Sequence, residues 1–163
     1  MKEKGLVFIG DPYHFKGLSD ISIGITHFFG SVSDGDYVAI LSWLEESEEV
    51  RALFDQICRQ IRESLRVPTT VNFGPRYLHS TGQLHKGDSN GGIFLQIIGD
   101  IETNFPVPNH DYTFSDLYRA QADADFTVLS DLGRRVVRIN VGNNVTQGLS
   151  NLLAIFSSAF SSQ

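Results

Sequence analysis

The chain has 163 residues, about one domain's worth, long enough to bury roughly two-thirds of its unfolded surface without metals or disulfides. Hydrophobic residues make up 41% and charged residues 20%, and the net charge is -6; that balance argues against a nucleic-acid-binding face and leaves room only for a local basic pocket. Cys58 is the single cysteine, so there is no intrachain disulfide and the chain suits a reducing compartment.

The first apolar run, residues 5–9, sits in MKEKGLVFIGDPYHF and is too short for a signal peptide or a membrane span. A cytoplasmic protein without a membrane segment is therefore expected. Residues 5–9 read as a strand closed by Gly10-Asp11-Pro12, and Leu18, Ile21, Ile25, Phe28 and Phe29 then recur at helical spacing. A second strand spans 36–43. The helix after it has the clearest stripe in the chain, Val50, Leu53, Phe54, Ile57, Cys58, Ile61 and Leu65, which places Cys58 in the core. The glutamates Glu45, Glu46, Glu48 and Glu49 crowd its start, where negative charge suits the helix dipole.

A third strand, 69–73, leads into a polar stretch, and 92–98 is a fourth strand apolar enough to be buried on both faces. Thr113 with Asp116 forms a capping box for a helical region that runs to Gly133 with a break near 122–125. The fifth strand is 135–141, with Arg134, Arg135 and Arg138 as solvated flanking charges. A last helix puts Val145, Leu149, Leu152, Leu153, Phe156 and Phe160 on one face. Strands and helices thus alternate five times. The expected fold is a three-layer α/β/α sandwich around a five-stranded parallel sheet in the order 2-1-3-4-5.

In that order, ligands bind beyond the carboxyl ends of strands 1 and 3. The loop after strand 1 contains His14, and the connection after strand 3 is the polar stretch GPRYLHSTGQLHKG. A helix starting near residue 78 or 79 would present its first amides, with Ser80 and Thr81, to a phosphate or to sugar hydroxyls. Arg76 would add a bidentate anion contact, and His79 an imidazole able to exchange a proton near neutral pH. A histidine there can equally be a structural hydrogen-bond donor, and His85 and Lys86 suit the end of the same short helix by charge. No metal-ligand spacing, Walker loop or dinucleotide fingerprint is present, so a nucleotide or metal enzyme has little support.

The segment GPRYLHSTGQLHKGDSNGGIFLQI, residues 74–97, closely resembles the phosphoglucose isomerase portion of fused transaldolase–phosphoglucose isomerase proteins. The likeness extends through GDYVAILSWL, VPTTVNFGPR, TFSDLYRAQADADF and GRRVVRINVG, roughly residues 35–155. Its most specific part is LHSTGQLHKG. His79-Ser-Thr-Gly-Gln83-Leu84 also resembles the H-x-x-x-Q-L element of ordinary phosphoglucose isomerases, whose histidine assists opening of the sugar ring.

Those enzymes contain two sugar-isomerase (SIS) domains, and this chain is similar to the second. The resemblance implies interconversion of glucose 6-phosphate and fructose 6-phosphate through an enediol, with no cofactor. His79 is the implied acid/base. Arg76, Ser80, Thr81, Gln83, His14 and Lys86 complete the candidate substrate contacts. Glu63, followed by Ser64, is the nearest counterpart of the family's catalytic glutamate, although the family's Asn-Gly does not follow it and the spacing is shorter. No lysine follows Lys86, whereas the family carries one on a final helix. The expected partner is a second copy, a first SIS domain or a transaldolase that supplies the other half of the site. Phe156 and Phe160 are the apolar residues expected to exceed what one sheet face can cover. The competing reading is a non-catalytic sugar-phosphate-binding SIS module.

Overall fold

In the computed structural model, which describes residues 2–3, 6–10, 21–101 and 104–161, the apolar runs form one sheet. Its strands are β1 (Lys2–Glu3), β2 (Leu6–Gly10), β3 (Tyr37–Trp43), β4 (Thr69–Phe73), β5 (Gly92–Ile98) and β6 (Arg135–Asn140). Period-2 alternation along β3 sends Val38 and Ile40 to one face and Ala39, Leu41 and Trp43 to the other. Both sets are buried, which is why this strand and β5 read as continuous apolar runs.

Strand order is β1-β2-β6-β5-β3-β4. β4, β3, β5 and β6 are parallel, with Ile40 opposite Val71 and Leu95, and Leu95 opposite Val137. The strand expected to be first and central, β2, instead runs antiparallel on the outer edge of β6, with Val7 opposite Asn140. The parallel part therefore has four strands, not five, and the order 2-1-3-4-5 does not hold for the five expected strands. Apolar periodicity reports that a segment is extended but not which edge it joins or in which direction, so β2 could not be placed from its own residues.

The helices are α1 (Ile21–Phe29), α2 (Glu48–Leu65), α3 (Thr81–Gly87), α4 (Phe114–Asp131) and α5 (Val145–Phe160), with a 3-10 turn at Arg76–His79. α1, α2 and α5 cover one face, and the 3-10 turn, α3 and α4 the other. Ser47 caps α2 by accepting from the Val50 amide, and Thr113 with Asp116 forms the expected capping box on α4. No break occurs near 122–125: α4 is continuous, with Ala122 and Asp125 buried against the sheet side, and its alanine-rich middle favours helix. Gly133 ends the turn after α4 at φ +67°, a left-handed conformation that glycine takes without cost.

Phe156 is fully buried and, with Phe160, packs on Phe29 of α1 at ring-centroid distances of 5.6 and 5.9 Å. Of the two tail aromatics expected to seek a second copy, Phe156 is thus covered from within the chain, while Phe160 is half-buried. Among the described residues, no helix is long and apolar enough to cross a membrane.

Candidate functional site

The polar stretch begins where β4 ends. Gly74 donates its amide to Ser42 O at 2.7 Å, and a Cβ at Gly74 would stand 2.7 Å from the Trp43 ring. Only a glycine lets the chain turn this close to Trp43. The Gly74–Pro75 peptide is cis, and the 3-10 turn that follows buries Tyr77 while Arg76 and His79 stay exposed.

Tyr77 anchors the turn through a buried relay. Trp43 Nε1 donates to the Tyr77 hydroxyl at 2.9 Å, which donates to Asp125 Oδ2 at 2.6 Å. Lys86 Nζ meets the other oxygen, Asp125 Oδ1, at 2.8 Å. Burial, then the Asp125 carboxylate, pushes the Tyr77 phenol well above its ordinary range, so it remains a donor. Beside the relay, His85 is buried, its ring 5.0 Å from Phe94 and 6.3 Å from both Tyr37 and Tyr77. Burial holds its pKa below the usual value, against the opposite pull of Asp125 and Asp88.

Along the β4 edge lies a cleft of about 630 Å³, which Tyr77 also lines. One helical stripe of α2, Arg51, Asp55, Cys58 and Arg62, forms its wall. Thr69, Asn72 and Phe73 of β4 form the floor, and Glu46, Arg76 and Ser80 close its upper end. Burial pushes the Cys58 thiol up to about 11, so it is a packing group rather than a nucleophile. Arg51 stacks on Phe73 at 5.5 Å. Glu46 pairs with both Arg51 and Arg76, one carboxylate oxygen to each.

Three of the expected contacts gather here. Arg76 and Ser80 line the cleft, and Thr81 donates its hydroxyl to the cleft residue Asn72 at 3.1 Å. His79 is exposed, three residues beyond Arg76. The helix begins at Thr81, after the 3-10 turn, rather than near residue 78 or 79. The Ser80 amide donates to Tyr77 O at 3.0 Å, and α3 is only seven residues long, too short for a substantial dipole.

Lys86 is committed to Asp125 and only 24% exposed, while Gln83 is exposed on α3. His14 lies outside the described residues. Glu63 is exposed near the carboxyl end of α2. That end leads into the start of β4, whereas His79 follows the end of β4, so the length of the strand, roughly 15 Å, lies between them. Arg62, one residue away and about 100° around the helix, faces the cleft in its place.

The arginines expected to be solvated are also engaged. Arg135 makes a bidentate pair with Asp36 at 2.8 and 2.9 Å, and Arg134 donates to Lys86 O at 2.7 Å. Arg138 is buried, donating to Gln96, Asp123 and Ala122 O. Sequence reasoning missed this group, as it missed Tyr77 and Asp125. The only hint was polar residues at core-facing positions of β5, β6 and α4.

Counted within the parallel part alone, the order is 2-1-3-4, so the switch point lies between β3 and β5. The crevice rule then favours the ends of those strands. A small pocket of about 20 Å³ lies there, between Trp43, Gly99, Tyr118 and Arg119. The larger cleft belongs to the outer strand β4. Among the described residues, no group of three His, Cys, Asp or Glu is placed to hold a metal ion.

No family model and no curated protein matches the sequence. The fold is similar to that of a solved structure described as a hypothetical protein from Thermus thermophilus, with a TM-score of 0.68 and 14% identity. The match covers 86% of this chain and 40% of that one, so the chain spans less than half the length of its structural neighbour. At that identity the likeness concerns the fold.

Proposed function

We propose that this chain is a sugar-phosphate domain of the phosphoglucose isomerase type, one half of a site for aldose–ketose isomerisation of glucose 6-phosphate and fructose 6-phosphate. The observation that carries the proposal is the placement of the segment most like that family. His79 stands exposed at the carboxyl side of the parallel sheet, in one short turn with Arg76 and Ser80, which line the adjoining cleft. In this reading His79 gives a proton to the ring oxygen as the C1–O5 bond breaks, and the proton leaving the anomeric hydroxyl returns through water to His79, opening the sugar. A carboxylate then removes the C2 proton while O1 is protonated to give the enediol; the carboxylic acid returns its proton to C1 and the O2 hydroxyl gives up its proton through water as the ketone forms. Electrons are only redistributed within the substrate, and no cofactor takes part.

Glu63 does not fit the carboxylate role, being at the far end of β4, so the base comes from a partner polypeptide: a second copy, a first SIS domain or a transaldolase-linked chain. Exposed Phe105, Phe114 and Leu117, at 64%, 53% and 43%, on the way into α4 support a partner at this carboxyl edge. His79→Ala, assayed with the partner present, is expected to lower turnover by ~10²–10⁴-fold with much less change in binding. Unchanged turnover would overturn the reading. The position of Glu63 favours a second reading, a binding module without catalysis. Sugar phosphate would then bind, His79→Ala would weaken it modestly, and no partner would restore turnover.

A further inference from the structure

The cleft presents three arginines, Arg51, Arg62 and Arg76, against two carboxylates, Glu46 and Asp55, in a chain whose net charge is -6. Two of those arginines converge on one acid. Arg51 stacks on Phe73, Arg76 projects from the 3-10 turn, both side chains are largely exposed, and Glu46 sits between them with its side chain 19% exposed. Guanidinium pairs hold planar or tetrahedral oxyanions in two-pronged fashion, and carboxylate and phosphate compete for the same N–H groups. Glu46 lies immediately before the Ser47 cap of α2, outside the helix, so its side chain can rotate away without unwinding a turn.

We propose that Arg51 and Arg76 form the seat for a phosphate monoester, and that Glu46 is a tethered competitor that occupies the seat until the phosphate displaces it. This deepens the isomerase-type reading by naming the group that recognises the phosphate, but the seat requires only an oxyanion of that charge and size. Because Glu46 fills the seat in the free protein, the apparent affinity is reduced by the fraction of molecules in which it is swung out. Specificity follows from the same exchange: an anion with too little charge to replace a carboxylate between two guanidiniums leaves Glu46 in place.

The test is titration of the whole chain with inorganic phosphate at fixed ionic strength, followed by calorimetry. Glu46→Gln keeps the shape and removes the competing charge, and about tenfold tighter binding or more is expected, corresponding to a seat open in about a tenth of molecules. Glu46→Ala should act in the same direction, which guards against a defect particular to one replacement. Adding Arg76→Gln to Glu46→Gln should abolish the gain. Asp55→Asn makes the same change of charge in the same cleft without touching the arginine pair, and less than about a twofold effect is expected.

Equal tightening by Asp55→Asn would reduce the effect to general electrostatics and overturn the proposal. So would phosphate affinity in Glu46→Gln and Glu46→Ala no greater than in the unaltered chain. Tight phosphate binding in Glu46→Gln with no turnover of glucose 6-phosphate, alone or with partners, would leave the seat standing and remove the isomerase. Turnover that depends on His79 but ignores Glu46 would do the reverse.

Discussion

The two layers that flank the sheet are built on different principles. Under α1, α2 and α5 the core is continuous and apolar: Ile25, Phe29, Phe54, Ile57, Ile61, Leu152 and Phe156 interlock, all nearly inaccessible to solvent. On the opposite face Ala39, Leu41, Trp43, Phe94 and Leu129 form a smaller cluster, threaded by Tyr77, His85, Gln96, Asp125 and Arg138. Length alone does not separate the layers, since α4 has 18 residues on the polar side and α1 nine on the apolar side; the difference lies in the apolar stripes and in the two short elements. α2 and α5 have 18 and 16 residues and carry full apolar stripes. The 3-10 turn and α3 have four and seven and would be marginal alone. They are fastened instead by directed bonds to α4, through Tyr77 and Lys86 onto Asp125. The layer held by hydrogen bonds is also the one that carries His79.

Given that contrast, the two layers respond to different substitutions. Phe156→Ala should have the largest effect, a loss of about 3–5 kcal/mol in urea unfolding, because a large ring leaves a fully enclosed site. A loss near 1 kcal/mol would mean that the apolar layer collapses around the gap and is less tightly interlocked than described. Asp125→Ala should cost about 2–3 kcal/mol, since it strands the Tyr77 hydroxyl and the Lys86 ammonium, the latter with some access to water. An Asp125→Ala protein as stable as the parent would show that area, not bonding, holds the 3-10 turn and α3.

The smallest effect is a slope. His85 has a folded-state pKa below its unfolded value because burial disfavours the cation, with Lys86 adding to this and Asp125 and Asp88 opposing it. As pH falls through about 6.5 the unfolded chain takes up a proton that the folded chain resists, so stability is lost on the acid side and retained above it. Relative to His85→Gln, the parent should therefore weaken progressively from about pH 7 towards about pH 5 in equilibrium unfolding. Parallel curves for the two proteins would mean that the proton is accommodated in place and the polar layer is more open than its burial indicates.

What the sequence by itself determined is local in origin. The four parallel strands, the α2 and α5 stripes, the Thr113–Asp116 box and the Gly133 stop all rest on residues within a pleat or a turn of one another, and each formed where its pattern placed it. The position of GPRYLHSTGQLHKG after a parallel strand was legible in the same way. Only the tertiary structure decided the rest, because it depends on partners far apart in the chain. The edge chosen by β2 is a matter of pairing with β6, some 130 residues on. Burial of Arg138 depends on Gln96 and Asp123 arriving from other elements. The exclusion of Glu63 from the cleft in favour of Arg62 turns on how α2 is rotated against β4, an angle set by packing and invisible to the spacing of either element.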